Sequence, residues 1–123
     1  MRVKVKMHSG AIRKLERAQI IALEQTAEAV KTDVIAKNVM PFDEGTLQNE
    51  STMIDTSGSS RGSVTISSDL PYARRLYFHP EYHFNKDNNP NAQGRWYDPW
   101  IDGTYKSFAP NAFKKIYKRL TGV

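Results

Sequence analysis

The chain has 123 residues, 39% of them apolar and 25% charged, with 18 Lys/Arg against 13 Asp/Glu and no cysteine. That length suits one domain over residues 1–123, and the lack of cysteine excludes disulfides and thiolate zinc sites. No run of about 18 apolar residues occurs, so no membrane-spanning helix is expected, and the first residues lack the apolar stretch of a signal peptide.

Residues 2–7 alternate, with Val3, Val5 and Met7 on one face and Arg2, Lys4 and Lys6 on the other. This is the pattern of a short half-buried strand, and the lysines suit an exposed edge. Ser9 offers an N-cap and Gly10 a flexible entry. From Ala11 to about Asn38 the apolar residues Ile12, Leu15, Ile20, Leu23, Ala27, Val30 and Val34 recur mostly at threes and fours. The spacing predicts a long amphipathic helix with a polar far side, on which Glu28 can pair with Lys31. Pro41 ends it, because proline cannot continue the hydrogen-bond ladder.

Thr46–Thr56 reads as a strand carrying Leu47, Met53 and Ile54, and Ser63–Ser68 as another, with Val64 and Ile66 on one face. Between them Ser57–Gly62 is expected to be a flexible loop, mobile until a partner orders it. Leu70–Phe78 predicts a short helix broken at His79-Pro80. Residues 81–103 hold Tyr82, Phe84, Trp96, Tyr97 and Trp100 without a clear period. Their aromatics are expected to pack on the core or on a partner. A last helix opens with Pro110 as its first residue, carries Phe113, Ile116, Tyr117 and Leu120 as an apolar stripe, and stops at Gly122. Lys114, Lys115, Lys118 and Arg119 cover its other side and complement the helix dipole.

The order implies an α+β fold. A long N-terminal amphipathic helix packs on a small antiparallel sheet, made of a β-hairpin and an N-terminal edge strand, with an aromatic loop and a C-terminal helix following.

Charge is distributed unevenly. Residues 1–40 hold eight Lys/Arg against four Asp/Glu, residues 41–71 one against five, and residues 72–123 nine against four. Basic surfaces attract phosphate, and an acidic patch on one copy can meet a basic patch on the next. A solvated charged surface is the plainer account.

The chemistry of known site types was sought residue by residue. His79 and His83 stand four apart, a metal-binding spacing on a helix, but Pro80 interrupts any helix through both. Ser57–Gly62 lacks the Lys-Ser/Thr ending of a phosphate loop, and no serine sits in a Gly-x-Ser-x-Gly elbow. Asp43 and Glu44 are adjacent, which in a turn points to solvent. No catalytic residue, metal ligand or cofactor is therefore expected. Arg74, Arg75, Arg95, Trp96 and Tyr97 offer phosphate contacts and stacking for nucleic acid. The competing account has Trp96 and Trp100 anchoring the loop into the core or a subunit interface, and it is preferred.

Two segments carry a resemblance: Pro41-Phe42-Asp43-Glu44-Gly45-Thr46-Leu47-Gln48-Asn49 with Ser51, and Pro71-Tyr72-Ala73-Arg74-Arg75-Leu76. Following a long helix, they resemble the minor capsid and tail-completion proteins of the tailed-phage neck. Tyr77, Pro80-Glu81-Tyr82, Asn89-Pro90-Asn91-Ala92, Trp96 and Pro99-Trp100 are similar to the minor capsid subgroup found in prophages of Gram-positive bacteria. The resemblance covers roughly residues 12–120. Gly103 and Pro110 depart from it by interrupting an otherwise more continuous C-terminal helix.

The resemblance implies a structural subunit of a ring between head and tail, with other phage head and tail proteins as partners. It implies a homo-oligomeric ring in the virion, assembly in the host cytoplasm, non-specific DNA contact in the lumen and no membrane. Its interface candidates are Arg74, Arg75, Tyr82, Arg95, Trp96, Tyr97 and Trp100. A small basic nucleic-acid-binding protein is the alternative, and a small metal-dependent hydrolase is a third reading.

Overall fold

The computed structural model describes residues 2–6, 16–37, 39–40, 52–68, 73–79, 81 and 91–122, and these form the expected α+β fold. The alternating start is strand β1, Arg2–Lys6, with Val3 and Val5 half-buried and the three cations exposed. Helix α1, Arg17–Ala36, buries Leu23, Ala27, Val30 and Val34 together with Ala22 and Thr26.

The helix begins later than its apolar spacing suggests. Glu16 has an extended backbone (φ −70°, ψ 154°), so α1 does not run through it. Its N–H is accepted by Gln19 Oε1 at 2.9 Å, a reach-back from the third helical residue that closes the N-terminus. Ser9, Gly10, Ile12, Leu15 and Pro41 lie outside the described residues. Among the described residues no ion pair joins Glu28 to Lys31. The exposed pair gains too little to hold two long side chains together, whereas Lys37 and the less exposed Asp33 pair at 2.9 Å.

Strands β2, Thr52–Asp55, and β3, Ser63–Ser68, form the expected hairpin. The sheet order is β1-β3-β2, and both outer strands run antiparallel to β3. Val3 lies opposite Ile66, Val5 opposite Val64, and Ile54 opposite Ile66 from the other side. This register puts Val64 and Ile66 at the centre of the sheet, where both are fully buried against α1. The Ser57–Gly62 connection, expected to be mobile, is instead a closed turn. Ser57 N–H donates to Asp55 Oδ1 at 2.9 Å, Ser59–Arg61 form one 3₁₀ turn, and Ser63 N–H returns to the Gly58 carbonyl at 3.1 Å. Gly62 accepts a left-handed φ of 90°, which glycine adopts without a Cβ clash.

The serine- and threonine-rich strands are less outward-facing than their composition implies. Thr52 and Ser68 are buried and face each other across the hairpin. Their hydroxyls lie 3.3 Å apart, Thr52 reaches Met40 Sδ at 3.8 Å, and Ser68 Oγ lies 2.8 Å from the Tyr97 hydroxyl. A polar thread therefore runs through the core with its members hydrogen-bonded, as burial requires.

Helix α2 is short, Ala73–Tyr77, followed later by α3, Asp98–Ile101, and α4, Phe108–Thr121. Pro110 is the third residue of α4 rather than the first. The first-turn amides have no acceptor within a helix, so the ring costs no hydrogen bond there. Gly122 closes α4 as expected, with φ 72° and its N–H on the Lys118 carbonyl at 2.8 Å. Between α3 and α4 the chain turns back on itself, and Tyr105 N–H donates to the Pro99 carbonyl at 2.8 Å. α4 packs chiefly against α1. Among the described residues no helix is long and apolar enough to cross a membrane.

Gly103 makes this turn possible, because a Cβ there would lie 2.8 Å from Pro99 Cα. Since the obstacle is backbone, the Gly103→Ala variant should lose about 1–3 kcal/mol of stability, read by denaturant unfolding. An unchanged midpoint would show that the α3–α4 turn has room to spare.

Candidate interaction surface

The aromatic segment after Asn91 folds inward. Trp96 and Tyr97 are 0% and 1% exposed, and Trp100 is 6% exposed. Their placement is over-determined. Asn91 Nδ2 donates to the Lys37 carbonyl at 3.0 Å and Gln93 N–H to the Val39 carbonyl at 2.8 Å, meeting acceptors where α1 ends. Trp100 Nε1 donates to Asp33 Oδ2 at 2.8 Å, pinning α3 to α1. Trp96 packs edge-on against Tyr77, with centroids 4.8 Å apart. Trp96, Tyr97 and Trp100 are therefore core residues of the monomer, packed as the preferred account of the loop expected. Tyr82 and His83 lie outside the described residues.

The cationic candidates stay outside. Arg74, Arg75 and Arg95 are exposed. The guanidinium groups of Arg74 and Arg95 lie 5.9 and 5.3 Å from the ring of Phe78, itself an exposed aromatic that the sequence reading passed over. Arg95 holds a left-handed backbone, φ 49°, strained for a residue with a Cβ. Its N–H donates to the Tyr77 carbonyl at 2.9 Å and its side chain lies 3.5 Å from Asp98, so local contacts offset the strain. Asp98 also accepts the Tyr77 hydroxyl at 2.6 Å. Burial, then that hydrogen bond, push the Tyr77 hydroxyl well above an ordinary phenol.

A second surface emerges only in three dimensions. A groove of about 1000 Å³ runs between β1 and α4, with Leu23 and Val30 of α1 beneath it. Val3, Val5, Trp100, Phe113 and Tyr117 line it, and exposed Lys4, Lys6, Lys114 and Lys118 rim it. Among the described residues no Asp or Glu lines it. Phe113 and Tyr117 stack at 5.9 Å with a 7° interplanar angle, giving α4 a flat apolar wall. The alternating lysines of β1 and the lysines of α4 were each legible in sequence. Nothing local indicated that they share one rim, since α1 and the rest of the chain lie between them.

Among the described residues no three His, Cys, Asp or Glu side chains gather in a way that could hold a metal ion. His79 Nδ1 lies 2.8 Å from Glu81 Oε1, an exposed pair that holds the Glu81 carboxyl below its usual range. The arrangement thus offers an apolar groove with a cationic rim and a separate Arg–Phe–Arg patch, both suited to contact.

The Tyr77–Asp98 bond underpins the patch, so Tyr77→Phe should cost about 1–3 kcal/mol near neutral pH. The folded state holds the Tyr77 proton more tightly than the unfolded chain. Its contribution is therefore complete below about pH 10 and is lost as pH rises further. The stability gap between wild type and Tyr77→Phe should narrow above that pH, as followed by urea unfolding. A gap that widens would contradict the assignment.

Neither a protein-family profile, nor a curated protein, nor a solved structure matches the chain.

Proposed function

We propose that this chain is a structural subunit of the tailed-phage neck, of the minor capsid or tail-completion type, that joins head to tail as one member of a ring. The observation that carries the reading is the order of its motifs. A long helix, the Pro41–Ser51 segment, a hairpin, the Pro71–Leu76 segment and a closing helix follow one another within 123 residues. Residues 41–51 and 71–72 lie outside the described residues, and the order around them supports the reading: α1 precedes the hairpin, and Ala73 is a buried residue opening α2. The groove adds physical support, because a subunit that works by docking needs an apolar surface that its own fold leaves uncovered. The partners are copies of the chain and the adjoining head and tail proteins. DNA passing through the ring meets cations without base readout.

The exposed Phe78 with two guanidinium groups near its ring favours a second reading, a small nucleic-acid-binding protein. Burial of Trp96, Tyr97 and Trp100 weakens it, since these were the residues offered for base stacking. Under the neck reading, DNA binding by the purified chain should be no tighter than the ~10⁻⁶ M typical of non-specific contact at physiological salt. Sub-micromolar affinity with a steep salt slope would favour the second reading.

The neck reading is tested by deleting the gene from an inducible phage that carries it and imaging the particles. DNA-filled heads lying apart from finished tails are expected. Intact infectious virions would overturn the reading.

A further inference from the structure

We propose that the groove between β1 and α4 is a strand-addition site, and that its occupant is the acidic β2 edge of a second copy of this chain. The proposal rests on the reading of the chain as a self-assembling subunit and names the contact by which it assembles.

Four consecutive residues, Val3–Lys6, line the groove although their side chains alternate between the two faces of the sheet. The groove therefore runs along the edge of β1. That strand pairs with β3 on one side, and among the described residues nothing pairs with the other. Such an edge presents a row of backbone donors and acceptors that an extended segment can satisfy. α4 supplies the opposite wall and packs on α1 rather than on the sheet. Its Phe113 and Tyr117 are only half-buried, and Ile101 and Leu120 are 55% and 41% exposed. A fourth strand beside β1 would lie over this apolar wall.

Charge selects the occupant. The rim carries Lys4, Lys6, Lys114 and Lys118 and, among the described residues, no carboxylate. β2 carries Asp55 and no Lys or Arg, and the sequence before it, residues 41–51, which lie outside the described residues, holds Asp43, Glu44 and Glu50 and no Lys or Arg either. Among the described residues the outer edge of β2 is also unpaired, and it presents an exposed Met53 (49%) beside Asp55. Two β1 edges brought together would oppose lysine to lysine, whereas β2 against β1 opposes carboxylate to lysine. The contact is head to tail. A docked pair still offers one free β2 edge and one open groove, so the contact propagates until rotation closes it into a ring.

The absence of cysteine in the natural chain makes the test clean. Two full-length variants, Lys4→Cys and Met53→Cys, both at exposed positions, are mixed at high concentration and oxidised. The mixture should give a disulfide-linked dimer several-fold more abundant than either variant gives alone. Adding Lys6→Glu and Lys118→Glu to the Lys4→Cys chain should cut that yield roughly tenfold, with circular dichroism unchanged. A mixture that cross-links no better than the single variants, or a yield indifferent to the charge reversals, would overturn the proposal. Should that happen while the deleted phage still fails to join heads to tails, the strand site falls and the neck reading stands.

Discussion

The structure depends on how the segment around Trp96, Tyr97 and Trp100 is seated. An aromatic stretch rich in turn residues has no periodicity to hold it, so it needs many anchors at once. It finds them where α1 ends, where Asn91 and Gln93 meet carbonyls of Lys37 and Val39 and Trp100 meets Asp33. Asp33 in turn accepts Lys37, which lies 4.9 Å from the ring of Tyr105. One carboxylate therefore links α1, α3 and the turn into α4. The hydrogen bond it accepts holds the Lys37 ammonium above its ordinary pKa. The indoles and phenols bury large apolar areas over the same few contacts, and this offsets the entropy of ordering so irregular a segment. Among the described residues Trp96 Nε1 meets no hydrogen-bond partner, a cost set against the packing of its ring on Tyr77.

Much of this was legible in one dimension, for reasons that can be stated. Period-two alternation in residues 2–6 and 63–66 is a direct consequence of the pleat, so β1 and β3 and their buried faces followed from it. The recurrence of Leu23, Ala27, Val30 and Val34 likewise marked the buried stripe of α1. Three features resisted. Glu16 looks like one more helix surface residue, and the side-chain reach of Gln19 decides that it is an N-cap. Ser57–Gly62 has a loop composition, yet a carboxylate two residues upstream and two glycines make it a tight turn. The burial of Thr52 and Ser68 was not legible either, because the partners that satisfy their hydroxyls come from other elements: each other across the hairpin, Met40 for Thr52, and Tyr97, 29 residues away from Ser68.

The same contrast applies to the contact surface. Chemical conspicuousness pointed to the tryptophans, and the fold buries both, Trp100 with a side to the groove. The uncovered surface is made of plainer residues, lysines and two stacked aromatics, drawn from the two ends of the chain. A groove of this kind arises because α4 leans on α1 while, among the described residues, β1 is the outermost strand on that side of the sheet. An apolar wall, an unsatisfied strand edge and a one-sign rim are the ingredients of recognition between chains. Under the proposed strand addition, the basic–acidic–basic arrangement of the sequence would give that recognition a direction.

The central claim is that the molecule works as a part of a particle, by docking. Quantitative mass spectrometry of purified, infectious virions from a phage encoding the chain tests this most directly. The account predicts that the chain is retained through density-gradient purification in a fixed ratio to the portal protein, as a ring component must be. Its absence from finished virions, with the protein recovered only in the lysate, would contradict the account.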